Sequence, residues 1–132
     1  MKVVHTSGKR KKAIARATLR EGKGKIWINR IHLDDIYPRM SRMKLREPLL
    51  LAGDIAHKVD ISVRVKGGGV SGQTEAARLA IARSLVEYSK GEKLRKVFLN
   101  YDRHLLVADV RRGEPSKPNV SKPRKKRQKS YR

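Results

Sequence analysis

The sequence has no cysteine. That excludes disulfides, thiol catalysis and Cys-based zinc or iron–sulfur sites. Its four histidines (His5, His32, His57, His104) lie far apart and show none of the short spacings of metal-ligand pairs. No metal or other cofactor is therefore expected. Long apolar runs are also missing: stretches such as Leu49-Leu50-Leu51-Ala52 fall far short of the ~20 residues a membrane span needs. The opening MKVVHTSGKRKKAIA lacks the apolar stretch of a secretory signal, so the chain is expected to be soluble and intracellular, with no membrane partner. Aromatic residues make up only 5% of the chain, and acidic residues number 12.

Positive charge is abundant. Against those 12 acids stand 34 Lys and Arg, a formal net charge of +22 on 132 residues. A small domain stays soluble with a charge of magnitude roughly 2–8, so the excess calls for a polyanionic partner, nucleic acid first. The length suits one domain, since single domains peak at about 100–150 residues. The charge is uneven. Residues 1–25 carry a net +8, residues 26–110 only +5, and residues 111–132 the remaining +9. This reads as a globular domain over 1–110, opened by a basic segment at 1–12, with an extended basic tail over 111–132. The tail, RRGEPSKPNVSKPRKKRQKSYR, has three prolines and only Val120 as a sizeable aliphatic residue. It cannot bury enough apolar surface to offset its ordering entropy, and is read as an arm that orders on RNA.

Within the body, Ala13, Ala15, Ala17 and Leu19 alternate with Ile14, Arg16, Thr18 and Arg20. Gly22-Lys23-Gly24 follows as turn chemistry and Lys25–Ile28 resumes a strand, which predicts a β-hairpin. Val59, Ile61, Val63 and Val65 alternate with Asp60, Ser62, Arg64 and Lys66, a strand with one buried face and one polar, mostly basic face. A last strand is expected near Leu105–Val110. Helices are expected over 41–53, interrupted or kinked by Pro48 and ended by Gly53; over 71–88, capped by Ser71; and over about 92–99. The order predicts an α+β fold, with helices in a layer on one face of a small sheet. Arg78 falls inside the apolar arc of the long helix. It either reaches back toward the helix N-terminus or covers apolar surface with its stem while its head meets water.

Ahead of that helix lies Lys66-Gly67-Gly68-Gly69-Val70-Ser71-Gly72-Gln73-Thr74. A strand, a glycine loop and a helix N-terminus together favour anions, because backbone N–H groups and the helix dipole point at the loop. The spacing is one residue away from the nucleotide-binding loop G-x4-G-K-[ST], and Leu105–Asp109 mimics a strand ending in a magnesium-binding Asp. Gln73 occupies the place of the phosphate-binding Lys, however, and a neutral amide cannot supply that charge. The loop is therefore read as holding RNA phosphates or making a tight turn. Nothing groups the Ser, His and Asp residues into a catalytic set, so no enzyme is expected.

SGKRKKAIARA (7–17), GKGKIWIN (22–29), DISVRVKGGGVSGQTEAARLAIARSL (60–85) and the terminal QKSYR (128–132) occur in the order found in one family. Across essentially its whole length the chain resembles small-subunit ribosomal protein nine in its archaeal form. The resemblance implies a two-layer domain with a small mixed sheet and a left-handed β-α-β crossover, although such crossovers are right-handed in ≈ 98% of cases. It also implies a structural ribosomal component in the cytoplasm, seated in the head of the small subunit among neighbouring head proteins. There it binds small-subunit ribosomal RNA, and its tail approaches the P-site transfer RNA.

Carried over by position, the ribosomal RNA contacts are Lys9, Arg10, Lys11, Lys12 and Arg16; the loop residues Gly67, Gly68, Gly69, Ser71, Gly72 and Gln73; Arg78 and Arg83; and Arg124, Lys125, Lys126 and Arg127. The transfer RNA contacts are Lys129, Ser130, Tyr131 and Arg132. The bacterial pattern ends Phe-Ser-Lys-Arg, so Tyr131 replaces the penultimate Lys and is read as stacking on a base or hydrogen-bonding a phosphate. With Lys and Arg dominant, recognition is expected to rest on RNA shape and phosphates more than on base edges. The alternative is a generic nucleic-acid-binding protein outside the ribosome.

Overall fold

A computed structural model describes residues 2–126 and 128. Five strands form one mixed sheet: β1 (Val3–Arg10), β2 (Ala13–Glu21), β3 (Ile26–Ile28), β4 (Ile31–His32) and β5 (Val59–Lys66). Three helices, α1 (Arg39–Ala52), α2 (Val70–Ser89) and α3 (Glu92–Tyr101), complete an α+β domain. The strand order is β1-β2-β5-β3-β4. The basic N-terminal segment is thus a strand, paired antiparallel with β2 from Val3↔Arg20 to Arg10↔Ala13. Its inward positions are Val4, Thr6 and Gly8, too weakly apolar for the alternation to show in the sequence.

The expected hairpin between β2 and β3 does not form. β5 lies between them, antiparallel to β2 (Leu19↔Ile61, Ala17↔Val63) and parallel to β3 (Ile26↔Ile61, Ile28↔Val63). The Gly22–Lys25 turn instead carries the chain across the start of β5. The N–H of Gly22 donates to the Lys58 carbonyl at 2.9 Å and that of Gly24 to Val59 at 3.0 Å. Asp60 Oδ1 accepts from the backbone N–H of Lys23 at 2.9 Å and Lys25 at 3.0 Å. The Lys25 amide contributes most; together with the amides of Lys23 and Gly24 and the charge of Lys25 it outweighs burial, which works to raise the pKa, and leaves the Asp60 carboxyl below its ordinary value. The parallel β3–β5 pair is joined by a crossover through β4 and α1, the β-α-β unit implied by the resemblance.

Ala13, Ala15, Ala17 and Leu19 on β2 and Val59, Ile61, Val63 and Val65 on β5 are buried, as their alternation predicts. α2 packs on this face across β1, β2 and β5, and α1 and α3 pack against α2. Small side chains allow close contact. A Cβ added to Gly8 of β1 would stand 2.3 Å from the Ala76 carbonyl oxygen and 2.8 Å from the Ala80 nitrogen on α2. Thr6 Oγ1 donates to the Ala80 carbonyl at 2.9 Å across the same seam. Ile81, Leu85, Phe98 and Leu105 fill the interior.

Helix boundaries follow the sequence signals with two exceptions. α1 runs through Pro48, which is buried, and ends where Gly53 takes φ 63° and returns its N–H to the Leu49 carbonyl. α2 begins one residue before Ser71, so Gly69 is the N-cap and supplies no side-chain bond; Ser71 does not cap it. The strand expected at Leu105–Val110 is also absent. Leu105 closes a 3-10 turn (Arg103–Leu105) and enters the core, while Leu106 offers its carbonyl to Arg83 Nε at 3.0 Å. A short apolar run can fill a core without joining a sheet, and period alone does not separate the two cases. Among the described residues no helix is long and apolar enough to cross a membrane, and no cluster of metal-ligating side chains occurs.

Candidate nucleic-acid interface

The β1–β2 turn is formed by Lys11, at φ 53°, and Lys12, both exposed, with Lys9 exposed beside them on β1. Beneath this turn sits the glycine loop. Gly67 (φ 79°) and Gly68 (φ 65°) adopt backbone that L side chains rarely tolerate. A Cβ on Gly67 would lie 2.5 Å from the Lys12 carbonyl oxygen, and one on Gly68 3.1 Å from the Ala13 Cβ. Gln73 Nε2 donates to the Gly67 carbonyl at 3.1 Å. The loop thus latches the hairpin turn to the start of α2, and Gln73 serves that latch. The acid that mimicked a magnesium ligand, Asp109, lies on no strand and faces Arg10.

Three of the arginines named from the sequence within the globular domain are engaged inside the protein. Arg10 Nε lies 2.6 Å from Glu75, and its Nη1 lies 2.7 Å from Asp109 without hydrogen-bond alignment. Arg78 donates to Glu47 of α1 at 2.5 Å and to Asp102, just past α3, at 3.2 Å. It neither reaches back along α2 nor meets open water; its side chain is 12% exposed. Burial works to raise the Asp102 pKa, but the His104 backbone N–H and the Arg78 guanidinium outweigh it and hold the carboxyl below its ordinary value. Arg83 bonds the carbonyls of Leu106 and Ser7, at 3.0 and 2.9 Å. These side chains tie the helical layer and the tail root to β1.

The tail leaves the domain beside the hairpin turn. Asp109 accepts bonds from the backbone and guanidinium of Arg111. With the charge of Arg10 adding to them, these bonds outweigh burial and hold the Asp109 carboxyl far below the ordinary carboxylate range. Arg112 Nη1 donates to the Lys11 carbonyl at 2.7 Å, linking positions 101 residues apart in sequence. Two basic segments that lie at opposite ends of the sequence therefore meet in space. Farther along, Glu114 forms a two-pronged pair with Arg124, at 2.9 and 2.5 Å, while Lys125 and Lys126 are exposed. Arg127, Lys129, Ser130, Tyr131 and Arg132 lie outside the described residues.

The sequence pattern of the family described as ribosomal protein S9/S16 matches residues 8–132. The chain belongs to that family. It is 53% identical over 134 aligned positions to the small ribosomal subunit protein uS9 of Methanococcus vannielii, with all of both chains covered. It is 52% identical to that of Methanococcus maripaludis strain C7, again end to end. These relatives are archaeal, as the resemblance implied. Members of the family are structural ribosomal proteins, which places this chain in the cytoplasm with the ribosome.

One group of residues the sequence did not bring together is the outer face of the sheet, opposite the helices. The register sets Arg16 of β2 across from Arg64 of β5, with Arg20 and Trp27 nearby. The basic side of β5 is visible in its alternation. That it adjoins β2 on one edge and Trp27 on the other depends on strand order.

Proposed function

We propose that this chain is a structural constituent of the small ribosomal subunit. It binds ribosomal RNA in the subunit head, alongside neighbouring head proteins, and reaches the P-site transfer RNA with its last residues. The observation that carries this reading is the meeting of the two basic segments: Arg112 bonded to the Lys11 carbonyl, and Arg10 and Arg111 sharing Asp109. The domain holds both arms at one end, where their charges add on a single stretch of phosphates. Lys9, Lys11, Lys12, Lys125 and Lys126 are exposed there or along the arms, Arg16 is exposed on the outer face of β2, and these side chains meet RNA directly. Arg127 continues the basic run. The glycine loop, Arg10, Arg78 and Arg83 act by positioning these contacts, and Arg124 exchanges Glu114 for phosphate on binding. Lys129, Ser130, Tyr131 and Arg132 meet the transfer RNA.

The test is sedimentation of the native protein in extracts of its source organism. It should travel with small subunits and stay on them through a high-salt wash. Release at moderate salt, with equal retention on duplex DNA, would instead make it a generic nucleic-acid binder.

A further inference from the structure

The face of the sheet not covered by helices carries charge that the protein itself does not neutralise. Arg16 and Arg64 are direct cross-strand partners, a placement that destabilises a sheet when both residues carry the same charge. Neither forms an ion pair among the described residues. Arg20 stands opposite Asp60, but the Asp60 carboxylate is taken by the backbone amides of Lys23 and Lys25, and Arg20 too forms no ion pair among the described residues. Three guanidinium groups therefore point outward over one surface, while the Asp60 carboxylate facing Arg20 is committed to backbone amides.

The register also gives this surface a shape. In one row across four strands stand His5, Thr18, Ser62 and Trp27, each paired with the next. Small side chains occupy the middle of the row and rings its two ends. The result is an open depression of ≈ 950 Å³ with the Arg16–Arg64 row along one side and Arg20 along the other. Glu21, at its rim, is the one acid there not bound to backbone amides. Trp27 is half-buried, its ring edge-on to that of His32 at 6.3 Å between centroids.

We infer that the open face of the sheet is a second RNA-binding surface, distinct from the two basic arms. The Arg16–Arg64 pair and Arg20 grip consecutive phosphates of one strand, and Trp27 takes an unpaired base against its ring. Charge favours this occupant: a polyanion relieves the like-charged pair, and an indole beside guanidinium groups suits a single RNA strand. This inference rests on the RNA-binding reading above and assigns that reading a surface.

Trp27 is the only tryptophan of the chain, so its fluorescence reports on this face alone. The full-length protein is titrated with its source organism's small-subunit ribosomal RNA, with binding followed separately by filter retention of labelled RNA. Trp27 emission should be quenched in step with retention. The double change Arg16→Gln and Arg64→Gln should weaken retention about tenfold and flatten the dependence of log K on log salt by about one to two units. The same variant should unfold at equal or higher denaturant, because it removes the opposed like charges; a merely structural pair would shift it the other way. RNA retained with unchanged Trp27 emission, or by the double variant as by the parent, overturns the inference and leaves the face to a protein neighbour. A parent chain that retains no RNA overturns the RNA-binding reading itself.

Discussion

Arg78 in the third turn of α2 donates to Glu47 of α1 across 2.5 Å, so the one charged group in the apolar arc of the long helix is matched from a neighbouring helix. Asp102 completes the set from beyond α3 at 3.2 Å. Removing one member of a buried pair leaves the other charge uncompensated, at about 3–5 kcal/mol. Here the carboxylates are 31% and 38% exposed and can recover water, so Arg78→Ala should cost about 1–3 kcal/mol. A double-mutant cycle with Glu47→Gln, read by urea unfolding, should give a coupling of at least about 0.5 kcal/mol. If Arg78→Ala instead keeps full stability and loses ribosomal RNA, the residue is a contact.

Acid stability should depend on Asp60. Its pKa is lower in the folded protein than the ordinary 3.8, so the unfolded chain takes up its proton first as pH falls. The stabilisation from its bonds to Lys23 and Lys25 is complete above 3.8 and is lost as pH falls through the depressed folded value. Asp60→Asn should be less stable at neutral pH and show a shallower loss below pH 3.8. Denaturant midpoints taken from pH 7 down to 2 would show parallel curves for the two proteins if Asp60 does not contribute.

Two glycines should be intolerant for different reasons. Gly8→Ala drives a methyl into the backbone of α2 at the Ala76 carbonyl, and neither rigid element can yield. Gly67→Ala combines φ 79° with a 2.5 Å approach to the Lys12 carbonyl. Each should cost more than about 1 kcal/mol. By contrast Gly69→Ser, at an N-cap with open space around it, should stabilise α2 by a few tenths of a kcal/mol, about the measured gap between Ser and Gly caps. Thermal midpoints of the three variants would rank them.

The tail should be separable from assembly. Its root is anchored through Asp109 and Arg112, both upstream of residue 122. A chain lacking residues 122–132 should still enter the small subunit but hold transfer RNA in the peptidyl site less well. If about five of the lost charges meet phosphates, the slope of log K against log salt for ribosomal RNA should flatten by about 3–5 units. Exclusion of the truncated chain from the subunit would show that the tail is needed for entry.

Much of this protein is local in origin and could be read from the chain. The alternation in β2 and β5, the alanine-rich α2, the Gly53 stop and the crowding of charge at both ends each depend on residues a few positions apart. The face that each strand buries follows from its period. Its neighbour does not: β2 and β3 look like a hairpin, yet β5 lies between them, because edge pairing is set by how the whole sheet closes over α2. The same holds for charge. Arg10 and Arg78 resemble Lys11 and Lys12 in sequence, and only the arrival of Glu75, Asp109, Glu47 and Asp102 from distant segments takes them out of the basic surface. Arg16 and Arg64 met no such carboxylate, and their charge was left facing outward. An ion pair is a contact in space, and where the partners are 24 to 99 residues apart along the chain, only the tertiary structure decides which arginine is free to meet RNA.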